Sequence, residues 1–208
     1  MWYYGFMDYM NVPPLKVAIV NAKGGVGKTA TSILLGKAAT AAGLSCVVLD
    51  SDPQGSATEW WYQASQRKDA LPFPVEAASR ATIKFPRSEQ LAIIDTPPGD
   101  SATIKAACEV ADYVIVPTLP SPDDFGKAWE VVNALGDKPY RVLLTMAETN
   151  TNLYRSLVEL MENSGIRYFD TPIKKTVEVR NQFGRNPVST FNYGFILDQV
   201  LKEVSQHE

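Results

Sequence analysis

The chain has 208 residues, of which 45% are hydrophobic, and its 20 basic and 23 acidic residues give a formal net charge of −3. This length and apolar content predict one globular domain with a core of two or three layers. The net charge and a sequence pI of about 5.3 do not indicate a nucleic-acid binder, so such a function would need a local basic surface.

Cysteine and histidine usage restricts the chemistry. Cys46 and Cys108 stand far apart in apolar settings, which is typical of a reducing cytoplasm and does not indicate a zinc site, an iron–sulfur cluster or a disulfide framework. His207 is the only histidine and lies next to the C-terminus. We therefore expect any acid–base work to fall to carboxylates or water.

Residues 1–14 are rich in aromatic side chains but contain no basic segment and no long apolar run. They predict an N-terminal extension that need not be ordered, and not a signal peptide. We assign residues 15–208 to a single domain. No stretch of the chain has the length and apolar content that a bilayer span needs, so we expect no association with membranes.

From residue 15 onward, short apolar runs alternate with helical patterns. Runs of four or more apolar residues with little alternation are typical of strands that are buried on both faces of a parallel sheet. The strands are predicted at 15–20, 45–49, 91–94, 113–116 and 140–145, and the helices at 30–42, 56–67, 102–110, 123–135, 152–163 and 195–204. The pattern predicts an α/β fold with a doubly wound, mostly parallel sheet, helices on both faces, and a ligand at the C-terminal strand ends.

The stretch AKGGVGKT at residues 22–29 joins the first predicted strand to the first predicted helix. A glycine-rich turn at a helix N-terminus directs several backbone N–H groups and the helix dipole at one point, where a polyphosphate can bind. Lys28 can then reach the β- and γ-phosphates, and the Thr29 hydroxyl can ligate Mg²⁺. Ala22 replaces the first glycine of the usual P-loop pattern, and Lys23 is an additional lysine. The alternative, a glycine-rich turn without a ligand, leaves the Gly-Lys-Thr sequence unexplained.

Acidic residues follow two other predicted strands. Asp50 and Asp52 come directly after the second strand, and Asp95 ends the third. The carboxyl ends of parallel strands meet at one edge of the sheet, so these side chains should face the glycine-rich turn, where a metal ion would offset their repulsion of a nucleotide. Each loop alone is equally well explained as a turn, because Asp-Pro and Asp-Thr-Pro are common turn formers.

The string KGGVGKT resembles the deviant Walker A motif of the ParA/MinD class of ATPases, in the P-loop NTPase fold. LDSDPQGSATEW is similar to the switch I of that class and IIDTPPG to its switch II, so the resemblance covers roughly residues 17–132. The short length and the absence of an N-terminal helix-turn-helix domain favour the small, ParF-like partition ATPases.

The resemblance implies an ATPase that uses ATP and Mg²⁺. It implies that Lys23 crosses a dimer interface to the partner's phosphates, in the manner of an arginine finger, although an exposed loop charge is the alternative. Asp52 would orient or deprotonate the attacking water, Thr29 and Asp95 would hold Mg²⁺, and Asp50 would support the metal waters or Lys28. The implied nucleotide-binding residues are Lys23, Gly24, Gly25, Val26, Gly27, Lys28, Thr29 and Ala30.

The loop after the predicted strand at 140–145 indicates whether the site prefers adenine or guanine. Guanine is usually selected by the aspartate of an Asn/Thr-Lys-x-Asp loop, but this loop reads Met146-Ala147-Glu148-Thr149-Asn150. It contains no Lys-x-Asp, so we expect ATP rather than GTP.

Residues 165–190 form the most basic segment. Lys174, Lys175 and Arg180, here called the basic strip, are our candidate DNA contacts, because phosphate neutralisation is local and a dimer would double the strip. A solvated helix face is the alternative. The segment has five basic residues (Arg167, Lys174, Lys175, Arg180 and Arg185) against two acids (Asp170 and Glu178).

The resemblance therefore implies a cytoplasmic, nucleoid-associated ATPase that forms a homodimer with ATP, binds DNA without sequence preference and partitions plasmid or chromosomal DNA with a ParB/ParG-like adaptor. Positioning of a non-DNA cargo is an alternative. A MinD-like membrane switch would need a cationic terminal helix, whereas residues 195–204 have one lysine against two acids. A reductase of the nitrogenase iron-protein type would need cluster cysteines that this chain lacks after its switches.

Overall fold

The computed structural model describes residues 13–206. Most of the predicted N-terminal extension, residues 1–12, lies outside the described residues, and so does His207.

The described strands form one six-stranded sheet in which every adjacent pair is parallel, which confirms the predicted fold class. The sheet order is β3-β2-β4-β1-β5-β6, with β1 in the interior between β4 and β5. The strands are β1 (Leu15–Ile19), β2 (Cys46–Asp50), β3 (Val75–Ala77), β4 (Leu91–Asp95), β5 (Tyr113–Thr118) and β6 (Tyr140–Leu144).

The helices cover both faces of the sheet. They are α1 (Lys28–Ala41), α2 (Ser56–Gln66), α3 (Ser101–Val110), α4 (Pro122–Ala134), α5 (Asn152–Asn163), α6 (Val177–Arg180) and α7 (Tyr193–Ser205). Successive side chains of a strand point to opposite faces, so each central strand supplies both layers. In β1, Val17 and Ile19 pack with α1, α2 and α7, whereas Ala18 packs in the second core with α3, α4 and α5.

The longer helices start in two ways: α3, α4 and α5 have a side-chain cap, whereas α1, α2 and α7 have none. Asp100, Ser121 and Thr151 cap α3, α4 and α5 with side-chain oxygens that accept first-turn N–H groups. Helix α1 begins after Gly27 with no side-chain cap and no acidic residue in its first turn. Its first-turn N–H groups therefore point toward the C-terminal edge of the sheet without a capping carboxylate or hydroxyl.

Two elements were not predicted. Strand β3 has three residues, of which only Val75 is buried, and α6 has four residues, none of them buried. Elements this short carry no readable periodicity, since their formation depends on neighbours that are distant in sequence. The other helices and strands match the predicted ones to within two residues at each end.

Candidate nucleotide-binding site

Residues 20–27 fold into a loop that passes from β1 into α1. Gly25 and Gly27 have φ values of 76° and 86°, a backbone region that favours glycine. Ala22 is not among the residues with positive φ, so the departure from the usual first glycine costs no backbone strain. Two hydrogen bonds fix the loop: the Lys23 N–H donates to Asn21 Oδ1 (2.9 Å), and Thr145 Oγ1 donates to the Val26 carbonyl (2.9 Å).

Lys28 and Asp95 form the buried ionic centre of the site. Lys28 Nζ donates to the carbonyl oxygen of Lys23 at 2.9 Å, and burial lowers the pKa of Lys28, although the charges of Asp95 and Asp52 oppose this shift. Burial raises the pKa of Asp95 to about 7; the hydroxyls of Thr29 and Ser32 and the Lys28 ammonium act against the shift, whereas Asp50 adds to it.

One oxygen of Asp95 has no protein partner. Oδ1 accepts a hydrogen bond from Ser32 Oγ at 3.1 Å, whereas Oδ2 is buried and accepts no hydrogen bond from the residues that the structure describes. A buried carboxylate oxygen without a donor is costly in the bare protein. Its position beside Thr29 is suited to a cation that binds oxygen ligands.

Asp50 and Asp52 have different environments. Asp50 is buried, and its Oδ2 accepts from both the backbone N–H and the hydroxyl of Thr58, each at 2.8 Å. This carboxylate therefore ties the first turn of α2 to the end of β2, a role that no sequence pattern indicated. Asp52 is half-buried, accepts from the Gln54 N–H at 2.9 Å, and lines the cleft next to the loop.

Lys23 is paired within its own chain. Its Nζ lies 2.7 Å from Asp123 Oδ2 and 2.8 Å from Asp124 Oδ1, at the start of α4. These contacts raise the pKa of Lys23 and lower that of Asp123. Both aspartates also belong to the start of α4: they lie in its first turn, and Asp124 Oδ2 accepts from the capping hydroxyl of Ser121. Asp123 and Asp124 thus hold Lys23 at the start of this helix.

The loop opens into a cleft of about 860 Å³. The P-loop forms one wall, and residues 173–183 form another, where Ala147 donates its N–H to the Ile173 carbonyl (2.9 Å) and Lys175 donates its N–H to the Ala147 carbonyl (3.1 Å). The cleft brings together most of the predicted nucleotide-binding residues. Its lining includes Gly24, Gly25, Gly27, Lys28, Thr29, Ala30 and Asp52.

The basic segment divides among three places. Lys174, Lys175 and Arg180 line the cleft, with exposed side chains, and Lys175 Nζ pairs with Glu148 Oε1 at 2.6 Å. Arg167 lies elsewhere, 4.5 Å from the centre of the Tyr140 ring. Arg185 lies beyond the cleft, next to α2. The predicted strip is therefore a wall of the cleft, and not a separate helix face.

Core packing accounts for Trp60 and for the apolar face of α7. Trp60 is 3% exposed and donates its indole N–H to the Arg185 carbonyl at 2.8 Å, so it packs behind the Asp50–Gly55 loop and is not exposed for stacking on a base. Helix α7 buries Ile196, Leu197 and Val200 in the core that it shares with α1. Its apolar face is thus covered by the domain. Among residues 13–206, no helix is long and apolar enough to cross a membrane.

The comparisons with known proteins agree with this geometry. Residues 17–188 match the family model for the CobQ/CobB/MinD/ParA nucleotide binding domain. The chain is 38% identical over 157 residues, 72% of its length, to the maintenance of carboxysome distribution protein A of Gloeobacter kilaueensis, and covers 68% of that relative.

Solved structures share the fold. A plasmid partition protein from Borrelia burgdorferi bound to AMPPNP superposes with a TM-score of 0.73 at 18% identity, covering 91% of this chain and 99% of that one. The pNOB8 ParA bound to nonspecific DNA superposes with a TM-score of 0.64 at 18% identity, covering 94% and 100%. Together with the P-loop geometry and the family match, these findings show that the chain belongs to the ParA/MinD family of P-loop nucleotide-binding proteins.

Proposed function

We propose that this protein is a Mg²⁺-dependent ATPase that dimerises when it binds ATP, binds DNA without sequence preference, and uses this cycle to position a cargo in the cytoplasm, on the nucleoid. The single observation that carries the proposal is the arrangement of an uncapped α1 N-terminus and a buried lysine in the wall of one cleft, with a buried, partly unpartnered aspartate hydrogen-bonded to α1 beside them.

The residues of the P-loop divide the binding of the triphosphate among them. The N–H groups from Gly24 to Ala30 form the phosphate cradle, and Lys28 leaves the Lys23 carbonyl to pair with a phosphate. Thr29 and Asp95 are the residues suited to hold Mg²⁺. Asp50 supports them indirectly, because it fixes the first turn of α2. When bound, the metal ion neutralises charge on the phosphates.

Asp52 orients the attacking water in this proposal. It is half-buried in the cleft wall, and its Oδ1 already accepts the Gln54 N–H, so the second oxygen remains available for water. No imidazole lies in the described site. We expect hydrolysis to be slow, so that the ATP-bound state persists between turnovers.

Lys23 completes the partner's site. The pairing with Asp123 and Asp124 holds Lys23 on its own α4 when the chain is alone. The phosphates bound by a partner would compete with these two carboxylates for the lysine. Lys23→Ala should therefore retain nucleotide binding by the monomer but lose the ATP-dependent dimer. Light scattering with ATP and with ADP measures this, and an unchanged dimer would rule out the role.

Two further variants test the nucleotide chemistry. Lys28→Ala should abolish binding of a fluorescent ATP analogue, because the phosphates lose their buried cation. Asp52→Ala should still bind ATP and dimerise but hydrolyse at a strongly reduced rate, since the water loses its acceptor. Equal hydrolysis by Asp52→Ala and wild type in a phosphate-release assay would exclude Asp52.

The cargo has two candidates. Partition of DNA by a centromere-binding adaptor is the first, supported by the similarity to a plasmid partition protein. A protein assembly is the second, favoured by the 38% identity to a carboxysome distribution protein. Both need DNA as a track, and in both the basic strip, Lys174, Lys175 and Arg180, contributes phosphate contacts. Affinity capture with the ATP-locked dimer would distinguish an adaptor that binds DNA from one that binds a protein assembly.

A further inference from the structure

The C-terminal end of α2 carries a group of cations that the proposed mechanism does not use. Arg67 and Lys68 follow directly after the helix and are exposed, and Arg185 is exposed on the segment that packs against them. Lys37, on α1, is the fourth member. We call these four residues, Lys37, Arg67, Lys68 and Arg185, the α2 patch.

Three hydrogen bonds hold the patch together. Arg67 Nη1 donates to the Gly184 carbonyl at 3.2 Å, next to Arg185. Lys37 Nζ donates to Asn186 Oδ1 at 2.9 Å, on the other side of Arg185. The Asn186 N–H in turn donates to Asp69 Oδ2 at 3.1 Å, and Asp69 follows Lys68. Each bond joins residues that are patch members or their immediate neighbours, so the four cations share one surface.

The patch is not neutralised by the chain. None of its four members forms an ion pair with residues 13–206. By contrast, Lys23, Arg87, Lys105, Lys127, Arg141 and Lys175 are each paired with a carboxylate. The one acid in the patch's hydrogen-bond network, Asp69, accepts the Asn186 N–H and keeps its charge, so the four cations outnumber it. The region therefore keeps a concentrated positive potential in a protein whose formal net charge is −3.

A purely local role explains only half of the patch. Cations near a helix C-terminus interact favourably with the helix dipole, which accounts for Arg67 and Lys68. Lys37 and Arg185 come from other parts of the chain: Lys37 is held by Asn186 Oδ1, and the Arg185 side chain forms no hydrogen bond or ion pair with residues 13–206. Their convergence from three segments instead fits a ligand with several negative charges spaced along a surface.

We propose that the α2 patch binds backbone phosphates of duplex DNA and extends the footprint of the basic strip. This inference rests on the proposed function. Trp60 supports the continuity of the two surfaces, because it contacts the Phe183 ring (5.2 Å between centroids) and bonds the Arg185 carbonyl. Phosphate contacts carry no sequence information, as nonspecific binding requires.

The patch is also connected to the nucleotide site. Helix α2 begins immediately after the Asp50–Gly55 loop, and Asp50 holds its first turn through Thr58. The patch lies at the other end of this 11-residue helix, about 16 Å away. A shift of the loop on nucleotide binding would therefore be transmitted along α2 to Arg67 and Lys68, the two patch members that follow this helix.

The test is a charge-reversal variant, Lys68→Glu/Arg185→Glu. Neither side chain forms a hydrogen bond or ion pair with the described chain, so folding should be retained. The control is Lys84→Glu/Lys105→Glu, which makes the same change in net charge at exposed positions outside the patch and gives up only the 4.0 Å contact of Lys105 with Glu109. Fluorescence anisotropy of a labelled duplex is measured with a non-hydrolysable ATP analogue and Mg²⁺ over a salt series, alongside nucleotide affinity and dimer mass.

We expect the patch variant to bind nucleotide and dimerise normally but to lose roughly tenfold or more in duplex affinity, with a shallower dependence of log affinity on log salt. The control should keep wild-type affinity to within about twofold. If wild type binds duplex and the patch variant binds it equally well, the inference is wrong while the proposed function stands. An equal loss in the control would assign the effect to net charge and would also overturn the inference.

Two more outcomes are separable. If wild type binds no duplex in any nucleotide state, the proposed function fails and takes the inference with it. If the patch variant keeps duplex affinity but loses binding to an acidic partner protein or to anionic vesicles, measured in parallel, the surface serves that other partner and the DNA assignment is wrong.

Discussion

Asp95 is a residue of the site that lowers the stability of the protein when no metal ion or nucleotide is bound. Burial raises its pKa to about 7, and its Oδ2 has no donor among the described residues. The folded protein must therefore either retain a proton on Asp95 or carry a buried charge. An unfolded chain releases the same proton near the ordinary value of about 4.

This imbalance gives a pH-dependent prediction for the metal-free and nucleotide-free protein. Because the folded state binds more protons than the unfolded state between about pH 4 and 7, the contribution of Asp95 to stability is lost as pH rises through 7. Asp95→Asn removes the titration. We expect its melting temperature to exceed that of wild type at pH 8 and the advantage to shrink at pH 6, as measured by thermal unfolding in a chelator.

Ser32→Ala is the matched control for this prediction. It removes the 3.1 Å hydrogen bond to Asp95 Oδ1 but keeps the carboxyl group, so it should lower stability and leave the pH dependence in place. If Asp95→Asn gains as much at pH 6 as at pH 8, the stabilisation comes from packing, and the charge argument is wrong.

At the scale of elements, two glycines in helices allow the effect of close packing on stability to be compared with the effect of helix propensity. A Cβ on Gly36 of α1 would lie 2.9 Å from Phe73 Cζ, a buried ring. A Cβ on Gly126 of α4 would meet nothing within 4 Å. Both substitutions by alanine gain about 1 kcal/mol of helix propensity, but only the first forces a contact.

We expect Gly36→Ala to lower the free energy of unfolding by roughly 1–2 kcal/mol, because overpacking in a closed core outweighs the propensity. Gly126→Ala should raise it by up to about 1 kcal/mol. In a domain of this size these changes shift the melting temperature by roughly 2–8 °C in opposite directions. Chemical denaturation of both variants measures the pair, and shifts of the same sign would contradict the packing argument.

The elements also show which features a sequence reveals. The P-loop was predictable because its function depends on residues adjacent in the chain, between a strand and a helix. The buried strands were predictable because both of their faces are apolar. The contacts of Asp50 with Thr58 and of Lys23 with Asp123 were not, since they depend on the approach of α2 and α4. In the second case, 100 residues separate the partners.

At the scale of the whole molecule, the number of basic residues in a segment did not predict where their charges lie on the surface. Five basic residues between 165 and 190 suggested one strip, but the chain passes Tyr140, the cleft and α2 in turn. The folded path of the chain places these positions apart. It also brings Lys37 and Arg67 next to the position at α2. The cations of the cleft and those of the α2 patch therefore form two neighbouring surfaces, and Arg185 is the one patch member that comes from the segment 165–190.

The basic strip shares the cleft with the P-loop, so its charges act on a bound triphosphate as well as on DNA. We predict that the triple variant Lys174→Ala/Lys175→Ala/Arg180→Ala weakens the binding of a fluorescent ATP analogue by roughly 3- to 10-fold without any DNA, because the positive potential of the cleft falls. The difference from wild type should shrink as salt rises, since these side chains are exposed.

The control for this measurement is Lys84→Ala/Lys105→Ala/Lys202→Ala, which removes the same charge from exposed positions that do not line the cleft. It should keep wild-type nucleotide affinity. Equal nucleotide affinity in all three proteins would mean that the strip does not act on the nucleotide. Any loss of DNA binding by the strip variant would then come from lost contacts with DNA phosphates alone. If only the strip variant loses nucleotide affinity, its DNA binding must be measured at saturating nucleotide. This is necessary because the dimer is expected to form only when the nucleotide site is occupied.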